Sequence, residues 1–578
     1  MAPALPQYWW ILAITTVAFC LSAFGNGAND VANAFATSVA ARSLTMAQAG
    51  VISVIAEFFG AVVLGSRVTD TIKNGIIGLG RFRSNPATLL VAMGSAEIAS
   101  ATWLLTATKL GFPVSTTHTI VGALIGAGIG AQSSITWEWK KGSVSQIAAS
   151  WVISPLISAA VSAILFATLK YAVLERKDAF KKALRAIPFY LAFTGAILAL
   201  FILVETPGAP ALEDLGVGVA CGIMFGTFFG VLALSYVFFR PYFHRVVVLA
   251  DPRIRPWHLP LGPLLWRENP PLYLPGKATM LVDHYQSAHE KSSTDEHQSP
   301  VLDQSVLNTG AETGPGEART PKQVTEEGHA TGDLERQPAE PVLRPIVRKP
   351  EPEERFLAPT AHLPLYHPRR LASYVVYFLL QGVTRDCVTH SSAHLGAVHG
   401  KAPQYDNRIE HLWTYAQVTS AIMMSIAHGS NDVANAVGPW VAVYETYNSG
   451  EVGEDNSTPV WILAIAGLLL GAGFWFMGHH IVRALGNKIT QLSPTRGYAM
   501  ELGAAITILL ASRLGLPVST TQTLTGAVVG VSLMNLDLGA TNWRQLAFIF
   551  LGWVLTLPCV ATVSGLLTAM GLNAPSFN

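Results

Sequence analysis

The octapeptide Gly27-Ala28-Asn29-Asp30-Val31-Ala32-Asn33-Ala34 returns almost unchanged as Gly429-Ser430-Asn431-Asp432-Val433-Ala434-Asn435-Ala436. Both copies lie inside long apolar runs. On a helix, Asn26, Asn29, Asp30, Asn33 and Thr37 fall on one polar stripe, and His428, Asn431, Asp432 and Asn435 make the same stripe in the second copy. An ionised Asp at the centre of a bilayer costs about 2.5–3.5 kcal/mol on insertion scales. A chain that places one twice, in matching surroundings, is building one site from two halves.

The bulk numbers set that site in a membrane. Of 578 residues, 50% are apolar and only 13% charged, which fits a polytopic membrane protein and no ordinary soluble domain. A net charge of +1 gives no case for nucleic acid. Cys20, Cys221, Cys387 and Cys559 have neither disulfide nor metal spacing and read as small buried hydrophobes. The N-terminus lacks the basic start of a cleavable signal, and Tyr8, Trp9 and Trp10 read as an interfacial anchor.

The expected fold is all-α, with about twelve transmembrane segments in two inverted repeats, some of them broken or re-entrant. Seven segments are expected near 9–38, 47–66, 87–108, 113–130, 144–168, 187–204 and 212–238. Five more follow near 413–442, 459–481, 497–513, 517–534 and 544–570. This divides the chain into a membrane half at 1–240, a loop at 241–412 and a second half at 413–578. Residues 286–355, rich in Glu, Pro, Gly and Ser, read as disordered. Leu371–Val383 is apolar for too few residues to span and is expected at the interface or against the bundle.

Loop charges orient the segments. The cluster Lys170, Arg176, Lys177, Lys181, Lys182 and Arg185 is expected inside, and Glu205, Glu213 and Asp214 outside. Arg240-Pro241-Tyr242-Phe243-His244-Arg245 then opens a cytoplasmic long loop, and both termini are expected outside. The sequon Asn456-Ser457-Thr458 falls in an expected outside loop. Arg67, Lys73, Arg81 and Arg83 run against the charge rule. If the halves are inverted, either that loop or its counterpart with Arg483, Lys488 and Arg496 has to.

The repeat extends beyond the octapeptide. Glu97 and the run Lys109-Leu110-Gly111-Phe112-Pro113-Val114-Ser115-Thr116-Thr117-His118 match Glu501 and Arg513-Leu514-Gly515-Leu516-Pro517-Val518-Ser519-Thr520-Thr521-Gln522 at one offset. Seven segments separate the two copies, and an odd number sends them through the membrane in opposite directions, as in many secondary transporters.

The motifs suggest complementary chemistries. Ser115 and Ser519 are good N-caps, so the N–H and hydroxyl groups of Thr116, Thr117, Thr520 and Thr521 would face an oxyanion at two helix starts. The alternative is that these residues only glue helices together. Asp30, Asn33, Asp432 and Asn435 offer oxygens that suit small hard cations, with Gly25, Gly27 and Gly429 permitting an unwound turn. Structural hydrogen bonding between helices is again the alternative. Drawing one negative charge into a cell costs about 2.3 kcal/mol per 100 mV, so an oxyanion transporter gains from co-bound cations. Glu57, Glu97 and Glu501 are coupling-ion ligands or gates, or else pair with Lys109, Arg513 or another buried cation. His479-His480 reads as interfacial rather than metal-binding, and no nucleotide loop, nucleophile elbow or zinc spacing supports an enzyme.

The duplicated signature, the paired Pro-Val-Ser-Thr-Thr segments and the long loop after the seventh segment resemble the inorganic phosphate transporter (PiT) family. Within it, the chain is most similar to the fungal sodium-dependent phosphate permeases. The resemblance covers both membrane halves. It implies electrogenic sodium/phosphate symport at the plasma membrane by a homodimer, with no cofactor beyond the co-transported sodium. It also implies phosphate contacts at Ser115, Thr116, Thr117, Ser519, Thr520 and Thr521 with the signature Asn29 and Asn431, and sodium ligands at Asp30, Asn33, Asp432 and Asn435. Ser430 replaces Ala28 and Gln522 replaces His118 between the copies, so His118 and Gln522 are given no symmetric role. A proton-coupled or sulfate symporter is the runner-up, and a phosphate sensor signalling through the loop is the reading from another class.

Overall fold

A computed structural model describes residues 3–140, 142–205, 216–277, 281–285, 349–388, 394–453 and 458–574. Glu213, Asp214, Asn456 and most of the low-complexity segment lie outside these residues. The described chain is nearly all helical, with an isolated bridge between Ile77 and Ile135.

The main helices are α1 (Trp9–Asn26), α2 (Ala32–Ala40), α3 (Met46–Leu64), α4 (Ser66–Asn74), α5 (Ala87–Lys109), α6 (Thr116–Gly130), α7 (Val144–Leu169), α8 (Ala179–Glu205) and α9 (Val217–Leu234). After the loop come α10 (Pro368–Thr384), α11 (Asn407–Ser449), α12 (Val460–Met477), α13 (His479–Leu485), α14 (Pro494–Arg513), α15 (Thr520–Leu533) and α16 (Trp543–Leu572). Among the described residues, eight helical segments are long and apolar enough to cross a membrane. Every expected segment falls on a helix. However, α6 and α15, with 15 and 14 residues, reach only about 22 and 21 Å, short of a hydrocarbon core of about 30 Å.

These short helices follow matched sharp turns. Gly111 (φ 72°) and Gly515 (φ 68°) adopt the left-handed region that favours glycine at the ends of α5 and α14. An extended stretch then leads back to Ser115 and Ser519, whose hydroxyls accept from the N–H of His118 (3.1 Å) and Gln522 (3.3 Å). Each is the expected N-cap.

The two copies run in opposite senses. The N–H groups of Ala4 and Leu5, ahead of α1, donate to Asn448 O and Tyr447 O at the end of α11 (3.0 and 3.2 Å). At the other end of the pair, Ser43 donates to Gln417 (2.5 Å), and His284 joins Ala41 O (2.8 Å) to Asn407 Oδ1 (2.9 Å). The short helices are exchanged between halves: α6 packs on α16 and α15 on α7. A Cβ at Gly126 would meet Ala561 O at 2.1 Å, and one at Gly530 would meet Ala159 O at 2.2 Å. Small residues let helices approach where lipid supplies no hydrophobic drive.

Three expectations are refined. The second half opens at Asn407, ahead of 413. Residues 349–355, expected to be disordered, are described and make ion pairs, with Glu351 contacting Arg385 and Arg483. Finally, α10 packs on the bundle, where a Cβ at Gly382 would meet Trp475 O at 2.1 Å.

Candidate functional site

The signature stripes and the two Pro-Val-Ser-Thr-Thr segments meet in one buried centre. Asp30, Asn33, Thr116, Thr521, Asp432, Asn435 and Thr520 are each no more than 3% exposed. Their contacts are reciprocal. Thr117 Oγ1 donates to Val518 O (2.9 Å), and Thr521 Oγ1 lies 3.2 Å from Val114 O. Asn33 Nδ2 donates to Thr521 Oγ1 (2.7 Å), and Asn435 Nδ2 to Thr116 Oγ1 (3.1 Å) and Thr117 Oγ1 (3.4 Å). Exchanging the copies maps Thr117–Val518 onto Thr521–Val114 and Asn33–Thr521 onto Asn435–Thr117, whereas Asn435–Thr116 has no counterpart among the described residues.

The carboxylates sit between the helix starts. Asp30 Oδ2 accepts from the hydroxyl of Thr116 (2.7 Å) and its N–H (3.3 Å), while Oδ1 accepts from Asn33 (3.0 Å) and Thr521. Asp432 Oδ2 accepts from Thr520 (2.8 Å) and, more distantly, Thr116 (3.4 Å). Asp30, Asp432 and His428 each place one ligand atom within 4.8 Å of the others'. Four oxygens here, Asn26 Oδ1, Asn33 Oδ1, Asn435 Oδ1 and Asp432 Oδ1, are buried without a hydrogen-bond partner among the described residues. Buried acceptors are normally satisfied, and a cluster of orphaned oxygens beside two carboxylates is a donor set for hard cations.

Asn29 and Asn431, expected as phosphate contacts, hydrogen-bond to the extended stretches ahead of Ser115 and Ser519. Asn29 Nδ2 donates to Thr108 Oγ1 and Phe112 O (3.0 Å each), and its Oδ1 accepts from Val114 N–H (3.0 Å). Asn431 repeats this with Ser512 Oγ (3.1 Å), Leu516 O (3.2 Å) and Val518 N–H (3.2 Å). Their amides hold the extended stretches in place, so they position the threonines.

The expected unwinding is absent. The first copy widens into a turn of π-helix at Gly27–Val31, and α11 runs unbroken through Gly429. The glycines serve contact instead: a Cβ at Gly27 would lie 1.8 Å from Leu470 O, and one at Gly429 would lie 2.7 Å from Glu57 O.

The three glutamates have three environments, all fully buried. Glu57 accepts from Ser425 (2.6 Å) and lies 2.8 Å from His428 Nδ1, while His428 Nε2 is 3.2 Å from Asp432 Oδ2. This Glu57–His428–Asp432 chain was missed in the sequence because its members lie 371 and four residues apart. Glu501 faces four neutral donors: Thr37 and Ser38 (2.6 Å each), Ser420 (2.7 Å) and Gln417 (3.1 Å). Glu97 is buried facing the Ser22 hydroxyl, with no well-formed hydrogen bond to either carboxyl oxygen among the described residues. His118 packs against Trp151, with ring centroids 3.9 Å apart and the rings tilted by 53°. A crevice of about 20 Å³ beside Asn33 and Thr521 leads toward Leu485 and Leu492, room for about one water. Toward the opposite face, Lys73 of α4 pairs with Glu445 of α11.

Comparison with known proteins agrees with this geometry. A family described as the phosphate transporter family matches residues 26–564. The chain is 36% identical to "Phosphate-repressible phosphate permease pho-4" of Neurospora crassa, covering 99% of both chains. It is 28% identical to "Sodium-dependent phosphate transporter 2" of Homo sapiens, covering 98% of each. A solved structure titled "The sodium-dependent phosphate transporter" superposes with a TM-score of 0.61 at 25% identity, over 96% of this chain and 98% of that one. These relatives are transporters rather than enzymes. With a site shared between two matched halves of a helical membrane protein, and with matches spanning nearly its whole length, this chain belongs to the phosphate transporter family.

Proposed function

We infer that the chain is a sodium-coupled inorganic phosphate symporter of the plasma membrane, working by alternating access between inverted halves. The observation that carries this reading is the set of orphaned oxygens around Asp30 and Asp432, directly beside two helix starts rich in donors. Phosphate would lie against Ser115, Thr116 and Thr117 of one half and Ser519, Thr520 and Thr521 of the other. Sodium would take Asp30 with Asn33, and Asp432 with Asn435.

The same threonines suggest how the two cargoes are coupled. Thr116, Thr520 and Thr521 donate to the aspartates, so the donors an oxyanion needs are engaged and two carboxylates face its place. A cation on each aspartate would both release these hydroxyls and neutralise the carboxylates. Phosphate would then bind after sodium, and the complex would carry less net charge through the membrane. The opposite courses of the two copies support the inverted-repeat mechanism. On the charge-rule orientation, both termini are outside and the long loop inside. The narrow crevice would then open toward the cytoplasm, with the Lys73–Glu445 pair on the outer side.

Proton coupling is the second reading, favoured by the Glu57–His428–Asp432 chain. Phosphate uptake into reconstituted vesicles, with sodium replaced by choline across a pH range, separates the two. Uptake that needs sodium supports the symporter, and uptake indifferent to sodium but steep in pH overturns it.

A further inference from the structure

A second basic site lies apart from the ion centre. A cavity of about 770 Å³ opens beside the end of α5 and is lined by Lys109, Arg385, His479, His480 and Arg483. Phe24, Phe378 and Phe476 form an aromatic wall, with ring centroids 6.4 Å (Phe24–Phe476) and 5.5 Å (Phe378–Phe476) apart. The size lies within the 300–1,000 Å³ typical of ligand pockets and exceeds what one inorganic phosphate fills. His479 is 5% exposed, and Arg385 Nε is buried without a hydrogen-bond partner among the described residues. Lys109 makes no ion pair or hydrogen bond among the described residues.

The arginines are held by two carboxylates from one short segment of the loop. Glu351 lies 3.3 Å from Arg385 and 2.6 Å from Arg483, and Glu353 lies 2.6 Å from Arg385. Guanidinium groups recognise carboxylate and phosphate with the same planar fork. These pairs are partly exposed, where each ion pair is worth no more than about 1 kcal/mol, so an anion of higher charge competes well.

We propose that this cavity is a second anion site, for a ligand bearing more than one phosphate group, and that Glu351 and Glu353 occupy its arginines until the ligand displaces them. The ligand is a phosphorylated lipid headgroup or a soluble polyphosphorylated anion. Its place beside Gly111 sets it against the turn whose next residue, Phe112, accepts from Asn29, so occupancy bears directly on the stretch that carries Ser115.

Binding to the full-length protein is measured with nanodiscs containing phosphatidylinositol phosphate, nanodiscs containing phosphatidylserine, soluble inositol hexakisphosphate and inorganic phosphate. Either polyphosphorylated probe should bind more tightly than phosphatidylserine or inorganic phosphate, and which one binds identifies the source. Arg385→Gln with Arg483→Gln should weaken binding at least tenfold. Lys109→Gln, which breaks no ion pair seen here, should weaken it severalfold in a protein that still folds. Glu351→Gln with Glu353→Gln should tighten it about three- to tenfold. Absence of binding, equal binding of phosphatidylserine, or affinities unmoved by Lys109→Gln and by the glutamate pair would overturn the proposal. Because binding is read without transport, loss of sodium coupling would leave it standing.

Discussion

Replacing Asp30 or Asp432 by Asn removes one charge from a centre that holds two. Their ligand atoms lie within 4.8 Å, where two unit charges interact by about 3.5 kcal/mol at an effective dielectric of 20. A cation held against one aspartate gains at least a similar amount from that carboxylate, so losing it weakens that cation's binding by about 300-fold at 1.4 kcal/mol per tenfold. Asn keeps the shape and one acceptor oxygen, and a threonine hydroxyl left facing its NH2 can turn to accept instead of donate. The variants should therefore fold and reach the membrane, while the sodium concentration for half-maximal phosphate uptake rises by on the order of a hundredfold or more. The assay is phosphate uptake into reconstituted vesicles against sodium concentration, with thermal unfolding as the control. A half-saturating sodium concentration close to wild type in both variants would refute the cation assignment.

Other perturbations test the surrounding structure. Asn29→Ala or Asn431→Ala leaves three partners unmade at a stretch behind the site. At about 1–3 kcal/mol for each buried group left unsatisfied, thermal stability and uptake should fall together. Gly27→Ala places a Cβ 1.8 Å from Leu470 O and should abolish surface expression, whereas Gly218→Ala meets nothing within 4 Å and should be neutral. Tyr285→Phe removes the donor to Glu410 (2.5 Å), a bond to a carboxylate worth about 1.5–3 kcal/mol, and should lower the melting temperature. Burial first, and then Glu410, holds the Tyr285 hydroxyl well above its ordinary pKa, so this donor stays protonated at physiological pH. Deleting residues 286–348 should leave uptake intact in a transporter; loss of uptake would point to an essential role for the loop.

The pairing of the two halves was legible because the octapeptide and the Pro-Val-Ser-Thr-Thr run recur at near-constant offsets, and a buried Asp has few other reasons to recur. The caps Ser115 and Ser519 were legible for the same local reason. Long-range partners were not. His428 stands where the first copy has Asn26, and nothing within a few residues indicates that Glu57 comes to rest against its ring. The stripe also concealed a division of labour: Asn29 faces the extended backbone while Asn33 faces the opposite threonine, a difference of helix angle that residue type does not encode. Gly27 and Gly429 suggested unwinding because glycine permits it, but close packing also demands glycine, and only the neighbouring helices Met46–Leu64 and Val460–Met477 decide between the two.

The account rests on one shared pocket, and a density map of the full-length protein in sodium phosphate tests it most directly. The expected result is an oxyanion between Thr116–Thr117 and Thr520–Thr521, with cations against Asp30 with Asn33 and Asp432 with Asn435. An oxyanion bound away from both helix starts, or aspartates still hydrogen-bonded to the threonine hydroxyls with no cation beside them, would contradict it.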